Sequence, residues 1–254
     1  MSIPLAPLPS SSPALIREAR GAFAGTLGLA VAAAISLVLG GAVQALPGMA
    51  GLMLFAALLV ALERQLAGHH PFPRLGAANR ITLIRAGVAC LIASRALDPA
   101  PLDTTERWLL VALAGTALLL DGADGWAARR QGLASAFGAR FDMETDAFAI
   151  AVLAVMVVKA GSVAYWVLAI GAMRYLYLAA GCLLPVLRGL PPACAFADRR
   201  RKTIAVVQSL ALLVVLAPAL PAKWAGATCA VALGLLVYSF AADIAMRLAG
   251  RPHE

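Results

Sequence analysis

Residues 118–155 read LLLDGADGWAARRQGLASAFGARFDMETDAFAIAVLAV, a polar island between two apolar runs. Asp121 and Asp124 are three positions apart, and Asp142 and Asp146 are four apart, so each pair shares one face if its segment is helical. The first apolar run ends at Asp121 and the next begins at Asp146, which puts both pairs at one end of two successive helices. Glycines between the pairs allow the chain to turn back on itself. The stretch therefore predicts two helices joined by a turn, with four carboxylates facing one another.

Apolar residues dominate the rest of the chain as well. Of its 254 residues, 62% are hydrophobic and 13% are charged, and the mean hydropathy is +0.86. Soluble domains are about 45–50% apolar and about 25% charged, and a globule of this size cannot bury such an excess. The composition excludes a soluble globular, a disordered or a nucleic-acid-binding protein, despite the net charge of +8. It predicts a polytopic membrane protein in the lipid bilayer.

Eight apolar runs approach the length of about 20 residues that a bilayer crossing needs. They are 21–45, 49–63, 81–97, 107–121, 146–160, 163–187, 203–221 and 223–246. Pro47-Gly48 predicts the turn between the first two, and Pro218 with Pro221 predicts the turn between the last two. The second run is short, so a seven-helix alternative stays open in which 49–63 lies in the interface. The predicted fold is an all-α membrane bundle with a six-helix core and two additional N-terminal helices.

The distribution of positive charge predicts the orientation. If both termini are cytoplasmic, most of the 21 Lys and Arg residues fall on the cytoplasmic side, as the positive-inside rule requires. The acidic pairs then face the cytoplasm of a multi-pass protein of the cell (inner) membrane. We expect four parts along the chain: a disordered cytoplasmic tail over 1–20, a transmembrane hairpin over 21–63, an interfacial connector over 64–80 and a catalytic domain over 81–248.

Four carboxylates at a membrane boundary are costly without counter-charge. Bound divalent cations would offset that cost, and ligands that are all oxygen favour Mg²⁺ or Mn²⁺. Two such ions can clamp a diphosphate and neutralise the charge that develops on a transferred phosphorus. The small residues Gly125, Ala128 and Gly138 would let a nucleotide approach the helix backbones. Arg129 offers a planar fork of donors for a phosphate.

The spacing of these residues resembles the signature of the CDP-alcohol phosphatidyltransferase family. No position of that signature is missing: Asp121-x2-Asp124-Gly125-x2-Ala128-Arg129-x8-Gly138-x3-Asp142-x3-Asp146. The resemblance covers roughly 75–246 and opens with Asn79-x2-Thr82-x2-Arg85, which is similar to the segment that begins the family core. It implies six transmembrane helices preceded by a short interfacial helix. The N-terminal pair of helices lies outside it.

The resemblance also implies a role for each aspartate. Asp121, Asp124 and Asp142 would bind two Mg²⁺ or Mn²⁺ ions, and Asp146 would complete the second ion's site. Asp146 would also be the general base that deprotonates the acceptor hydroxyl.

The remaining signature residues would form the nucleotide subsite. Gly125, Ala128, Arg129 and Gly138 would line the CDP moiety of CDP-diacylglycerol. Members of the family break the phosphoanhydride of the CDP-linked donor, release CMP and leave a phosphodiester on a small alcohol, and they are usually homodimers.

Basic residues in the second half of the chain are candidates for binding the acceptor. Arg174 lies within an apolar run, where a charge is expensive and is by default functional. Arg201 and Lys202 precede the seventh run and either bind a phosphate on the acceptor or contact anionic lipid. Lys202-Thr203 resembles a pair in phosphatidylglycerophosphate synthases, the closest subgroup, although Val206 stands where those enzymes have Gln. A phosphorylated polyol is favoured, and inositol phosphate or serine stays open.

Two other functions remain open at this point. A CDP-linked aminoalcohol could be the donor, with a diacylglycerol as acceptor, although a basic cluster serves a neutral lipid less well. An ion-coupled transporter also buries carboxylates, but its sites tend to lie near the bilayer midplane. The aspartates of this chain lie together at one membrane boundary, which favours the enzyme.

Overall fold

The computed structural model describes residues 13–131, 133, 135–183 and 195–249, without the side chains of 67–69, 123–131, 181–182, 195–199 and 247–249. Within these residues there are eight α-helices and no strands, which confirms the all-α prediction. The helices are α1 (Pro13–Leu39), α2 (Ala45–His69), α3 (Gly76–Leu97), α4 (Thr104–Gln131), α5 (Ala136–Lys159), α6 (Leu168–Leu183), α7 (Ala195–Leu216) and α8 (Ala222–Ala249). A single 3-10 turn, Tyr165–Val167, precedes α6.

Of the two turns predicted at prolines, the structure contradicts one and confirms the other. The prediction of a turn at Pro47-Gly48 is wrong, because the chain reverses earlier, over 40–44, where Gly41 has a φ of 74°. Pro47 lies in the first turn of α2, where its missing N–H costs no helical hydrogen bond. The turn at Pro218 and Pro221 is confirmed, since α7 ends before the first proline and α8 begins after the second.

Three helices of the described residues are long and apolar enough to cross a membrane by length and composition: Pro13–Leu39, Ala45–Leu66 and Ala222–Met246. The second of them contains the short run 49–63, so that run gains its length from flanking residues. The other described helices do not meet this criterion, and α6 has only 16 residues. The chain is a membrane protein of the polytopic helical type, and the aspartates of the predicted site lie on α4 and α5.

Contacts divide the chain into two compact units. Unit 1 comprises 1–99 and 113–145, and unit 2 comprises 100–112 and 146–254. In unit 1, α1 and α2 pack on each other and on α3. A Cβ on Gly51 of α2 would lie 2.8 Å from the Cys90 carbonyl oxygen of α3, so the two backbones approach closely because that side chain is absent.

Polar contacts reinforce the packing of the N-terminal hairpin on α3. Arg80 of α3 pairs with Glu18 of α1 at 2.8 Å. At the opposite end, the backbone N–H of Gln44 donates to Asp98 Oδ2 at 2.6 Å. Both ends of α3 are therefore tied to the hairpin, which is an integral part of unit 1.

Unit 2 packs α7 against α8 and places α6 beside α8. The buried side chain of Gln208 on α7 donates to the Ala232 carbonyl of α8 at 2.7 Å. Tyr177 of α6 donates to Asp243 of α8 at 3.0 Å. Side-chain hydrogen bonds thus join both α6 and α7 to α8.

Candidate functional site

The helices α4 and α5 carry the acidic pairs as predicted. The α4 helix continues to Gln131, so that Asp121 and Asp124 lie one turn apart on it. The α5 helix carries Asp142 and Asp146, also one turn apart. The two predicted helices that carry the acidic pairs are therefore confirmed. The side chain of Asp124 lies outside the described part of the chain.

Three of the four carboxylates come together. One oxygen each of Asp121, Asp142 and Asp146 lies within 4.8 Å of the other two. Asp146 is the first residue of the second segment of unit 2. The helix α5 nevertheless contains both Asp142 and Asp146, so it places them one turn apart. Oxygens that bind one Mg²⁺ at about 2.1 Å lie at most about 4.2 Å apart, which small side-chain adjustments would reach. The all-oxygen donor set fits Mg²⁺ or Mn²⁺.

Arg85 of α3 lies between two of these aspartates. Its Nη2 is 2.9 Å from Asp121 Oδ1 and its Nη1 is 2.7 Å from Asp142 Oδ1. The arginine side chain is only 6% exposed. One guanidinium therefore links α3, α4 and α5 and offsets part of the negative charge of the cluster.

Sequence reasoning did not give Arg85 a place in the site. It noted the residue only within the segment that opens the family core. The signal that could have found it is the one that singled out Arg174, a charged residue within an apolar run. The same signal points to a second buried charged residue, Asp243, which is 1% exposed on the apolar helix α8 and bonds to Tyr177.

Gly138 lies where α5 meets α3. A Cβ at this position would be 2.8 Å from Oδ1 of Asn79, whose Nδ2 donates to the Leu75 carbonyl at 2.6 Å. Asn79 is buried and held by that bond, so it has little freedom to move aside. The absence of a side chain at Gly138 is therefore a packing requirement, whatever its role toward a ligand.

The other predicted nucleotide residues are Gly125, Ala128 and Arg129. All three belong to α4, but their side-chain positions lie outside the described residues. The structure does not test them.

A cavity of about 450 Å³ lies between α1, the start of α3 and the α4–α5 turn. Arg74, Arg80, Glu18 and Leu133 are among the residues that line it. Two arginines against one glutamate give this wall a positive balance, which suits an anionic group.

The predicted acceptor residues belong to unit 2. Arg174 is half-buried on α6, Arg201 is half-buried on α7, and Lys202 is exposed on α7. Their role toward an acceptor stays a prediction. Gln208 does not replace the glutamine missing at Val206, because its buried amide bonds to α8.

Comparison with known proteins identifies the family. The model of the CDP-alcohol phosphatidyltransferase family matches residues 75–238, which is more than half of the chain. No curated protein and no solved structure matches the chain significantly. The match begins immediately before α3 and includes the acidic helices α4 and α5, and it favours an enzyme over a transporter. The chain belongs to the CDP-alcohol phosphatidyltransferase family, whose members transfer a substituted phosphate from a CDP-alcohol to an acceptor alcohol.

Proposed function

We propose that this protein transfers the phosphatidyl group of CDP-diacylglycerol to a small alcohol and releases CMP. The observation that carries the proposal is the cluster of Asp121, Asp142 and Asp146, whose oxygens lie within 4.8 Å of one another. When it holds divalent cations, such a cluster would be suited to a diphosphate substrate and less suited to a neutral one.

The four aspartates would hold two Mg²⁺ or Mn²⁺ ions. Asp121, Asp124 and Asp142 contribute ligands, and Asp146 completes the second site. When bound, the ions would neutralise the negative charge of the diphosphate and of the departing CMP. Arg85 would keep Asp121 and Asp142 oriented toward the site through its two hydrogen bonds.

Asp146 would act as the general base. The acceptor oxygen forms a bond to the phosphorus that bears the diacylglycerol, and the anhydride bond to CMP breaks. The proton of the acceptor hydroxyl passes to the Asp146 carboxylate. A carboxylate at the edge of the cluster can accept this proton because it is half-buried and within reach of a bound substrate.

The nucleotide subsite would be formed by Gly125, Ala128, Arg129 and Gly138. The small residues let the CDP moiety approach the backbone of α4 and α5, and Arg129 donates to a phosphate.

A phosphorylated polyol, such as glycerol 3-phosphate in the phosphatidylglycerophosphate synthase-like case, is the acceptor class that we favour. Arg174, Arg201 and Lys202 would bind its phosphate. We expect Lys202→Ala to raise the KM of the acceptor by about tenfold, the loss of one charged hydrogen bond, and to change the KM of CDP-diacylglycerol less. Initial rates measured against each substrate in turn check this. Equal changes in both constants would instead assign Lys202 to the lipid surface.

The orientation and assembly are part of the same proposal. The protein would lie in the cell membrane with both termini and the aspartates on the cytoplasmic side, where CDP-linked donors are available. It would function as a homodimer.

The decisive experiment is CMP release from CDP-diacylglycerol by the purified full-length protein with Mg²⁺. Glycerol 3-phosphate, inositol phosphate, inositol and serine are offered in turn. We expect turnover with one of them, loss of activity with EDTA, and recovery with Mg²⁺ or Mn²⁺. Activity that survives EDTA would contradict the two-ion site. If no acceptor supports CMP release, the donor would instead be CDP-choline or CDP-ethanolamine, with diacylglycerol as the acceptor.

The role of Asp146 is tested by Asp146→Asn. We expect turnover to fall by about 100-fold or more, the usual contribution of a general base, while the protein still inserts and folds. The matched control is Glu144→Gln, which removes the same charge from the opposite face of α5 and should leave turnover near its original rate. Comparable activity in Asp146→Asn and the control would remove the general-base assignment.

A further inference from the structure

His70 is a buried histidine with both ring nitrogens in contact with polar atoms. It follows the last residue of α2 and lies outside the residues that the family model matches. Its Nε2 is 2.8 Å from the Arg74 carbonyl oxygen, and its Nδ1 is 3.2 Å from Ser135 Oγ. The residue as a whole is 6% exposed.

These contacts fix the direction of each hydrogen bond. A carbonyl oxygen can only accept, so Nε2 of His70 carries the proton and donates to Arg74. In the neutral ring Nδ1 is then an acceptor, and it receives the hydroxyl proton of Ser135. The oxygen of Ser135 in turn accepts the backbone N–H of Gly138 at 3.0 Å.

Ser135 is the N-cap of α5. Its oxygen satisfies the N–H three residues on, which is the usual capping geometry. The aromatic ring of Phe137, in the first turn of the same helix, lies edge-on to His70 with centroids 5.6 Å apart. His70 therefore meets the start of α5 through both a hydrogen bond and a ring contact.

We propose that His70 is a positioning residue for the nucleotide subsite. Through Ser135 it fixes the hydroxyl that caps α5 and thereby the backbone at Gly138. The N-terminal hairpin, which ends at His70, would thus contribute to donor binding without contacting the donor. The inference rests on the proposed function, because that proposal assigns Gly138 to the CDP moiety.

Two histidine variants separate the two hydrogen bonds. The amide of His70→Asn can occupy the position of Nδ1 and accept from Ser135, whereas the amide of His70→Gln can occupy that of Nε2 and donate to Arg74. We expect His70→Gln and Ser135→Ala each to raise the KM of CDP-diacylglycerol and the Kd of CMP about fivefold, the value of one neutral hydrogen bond. In His70→Asn, which keeps the bond to Ser135, both donor constants should stay close to those of the unmodified protein. The double variant His70→Gln/Ser135→Ala should raise them no more than either single variant does. The KM of the acceptor should change little in all four proteins.

Asp103→Ala provides the matched control. Asp103 caps α4 in the same way, accepting the Glu106 N–H at 2.7 Å, but at the end of α4 farthest along the chain from the aspartates. Its loss should lower thermal stability as Ser135→Ala does and leave both donor constants unchanged.

The outcomes distinguish the two levels of inference. If the unmodified protein, in detergent with Mg²⁺, neither binds CMP nor uses CDP-diacylglycerol, the proposed function and the role of His70 both fall. If it does both, and His70→Gln and His70→Asn give the same donor KM, only the role of His70 is overturned. A donor KM that rises as much in Asp103→Ala would also overturn it, because general loss of stability would then account for the effect.

Discussion

A single arginine side chain organises the acidic cluster. Arg85 is almost fully buried and places one nitrogen on Asp121 and the other on Asp142. Arginine suits this place because its two forked nitrogens reach two carboxylates at once and its charge does not titrate in proteins. At the scale of the residue, the site has a fixed positive charge of its own.

We expect Arg85→Ala to destabilise the metal-free protein. The two aspartates would then lose their charged hydrogen bonds, at a cost of about 1–3 kcal/mol. Added Mg²⁺ should recover part of the loss, so the rise in Tm on adding Mg²⁺ should exceed that of the unmodified protein. Thermal unfolding in detergent, with EDTA or with Mg²⁺, measures both quantities.

The control for this prediction lies on the same helix. Arg80→Ala removes an ion pair to Glu18 whose arginine side chain is 53% exposed, so that pair is worth about 1 kcal/mol or less. An Arg85→Ala protein as stable without metal as the Arg80→Ala protein would contradict the role given to Arg85.

The helices that carry the two aspartate pairs could be predicted from the sequence, and the structure brings three of the four carboxylates together. The pairs at Asp121/Asp124 and Asp142/Asp146 specify their own helix faces, since three- and four-residue spacings repeat on a helix. Arg85 belongs to a different helix, and its distance in sequence from Asp142 contains no information about contact. Tertiary packing alone brings those two together.

At the scale of the element, the start of α5 combines three constraints. Ser135 caps it, Gly138 allows α3 to approach, and the chain then carries Asp142 one turn later. Hydropathy could locate the apolar part of α5 but not this beginning. It is polar, and its helical state depends on the cap and on contacts with α3 and His70.

Gly138→Ala should lower stability by about 1–3 kcal/mol, the usual cost of inserting a group into a packed site. The new Cβ would meet Asn79 Oδ1 at 2.8 Å, and Asn79 is held by its bond to Leu75. Thermal unfolding without substrates measures the change. In Gly115→Ala, on α4, the Cβ meets nothing within 4 Å, so that protein should be equally stable or slightly more stable. Equal unfolding temperatures for the two variants would show that the approach of α3 does not depend on Gly138.

At the scale of the whole molecule, the predicted alternation of helices would place three exposed tryptophans on one side of the membrane. Trp108, Trp166 and Trp224 are 48%, 41% and 57% exposed. Trp108 and Trp224 lie near the beginnings of α4 and α8, and Trp166 lies in the 3-10 turn before α6. These three ends fall on one side of the membrane if all eight helices cross it. Tryptophan is enriched at membrane interfaces, and the aspartates follow at the far end of α4.

Labelling with a membrane-impermeant thiol reagent tests this topology. The native cysteines must not react with the reagent. Cys90 and Cys229 are buried and can stay, and the other two are replaced, as Cys182→Ser and Cys194→Ser, before a new cysteine is introduced. We expect Lys223→Cys, before Trp224, to react in intact cells, and Ser2→Cys to react only after permeabilisation. Reaction of both in intact cells would place the N-terminus outside and contradict the cytoplasmic orientation.

The fixed charge of Arg85 also bears on how the cell could use this protein. A guanidinium already stands between Asp121 and Asp142, so the acidic helices have a partner during their synthesis and insertion, before any ion arrives. Under the proposed function, the metal would be required for turnover and not for assembly. A shortage of the ion would pause phospholipid synthesis while leaving an intact enzyme in the bilayer, ready to resume without new protein being made.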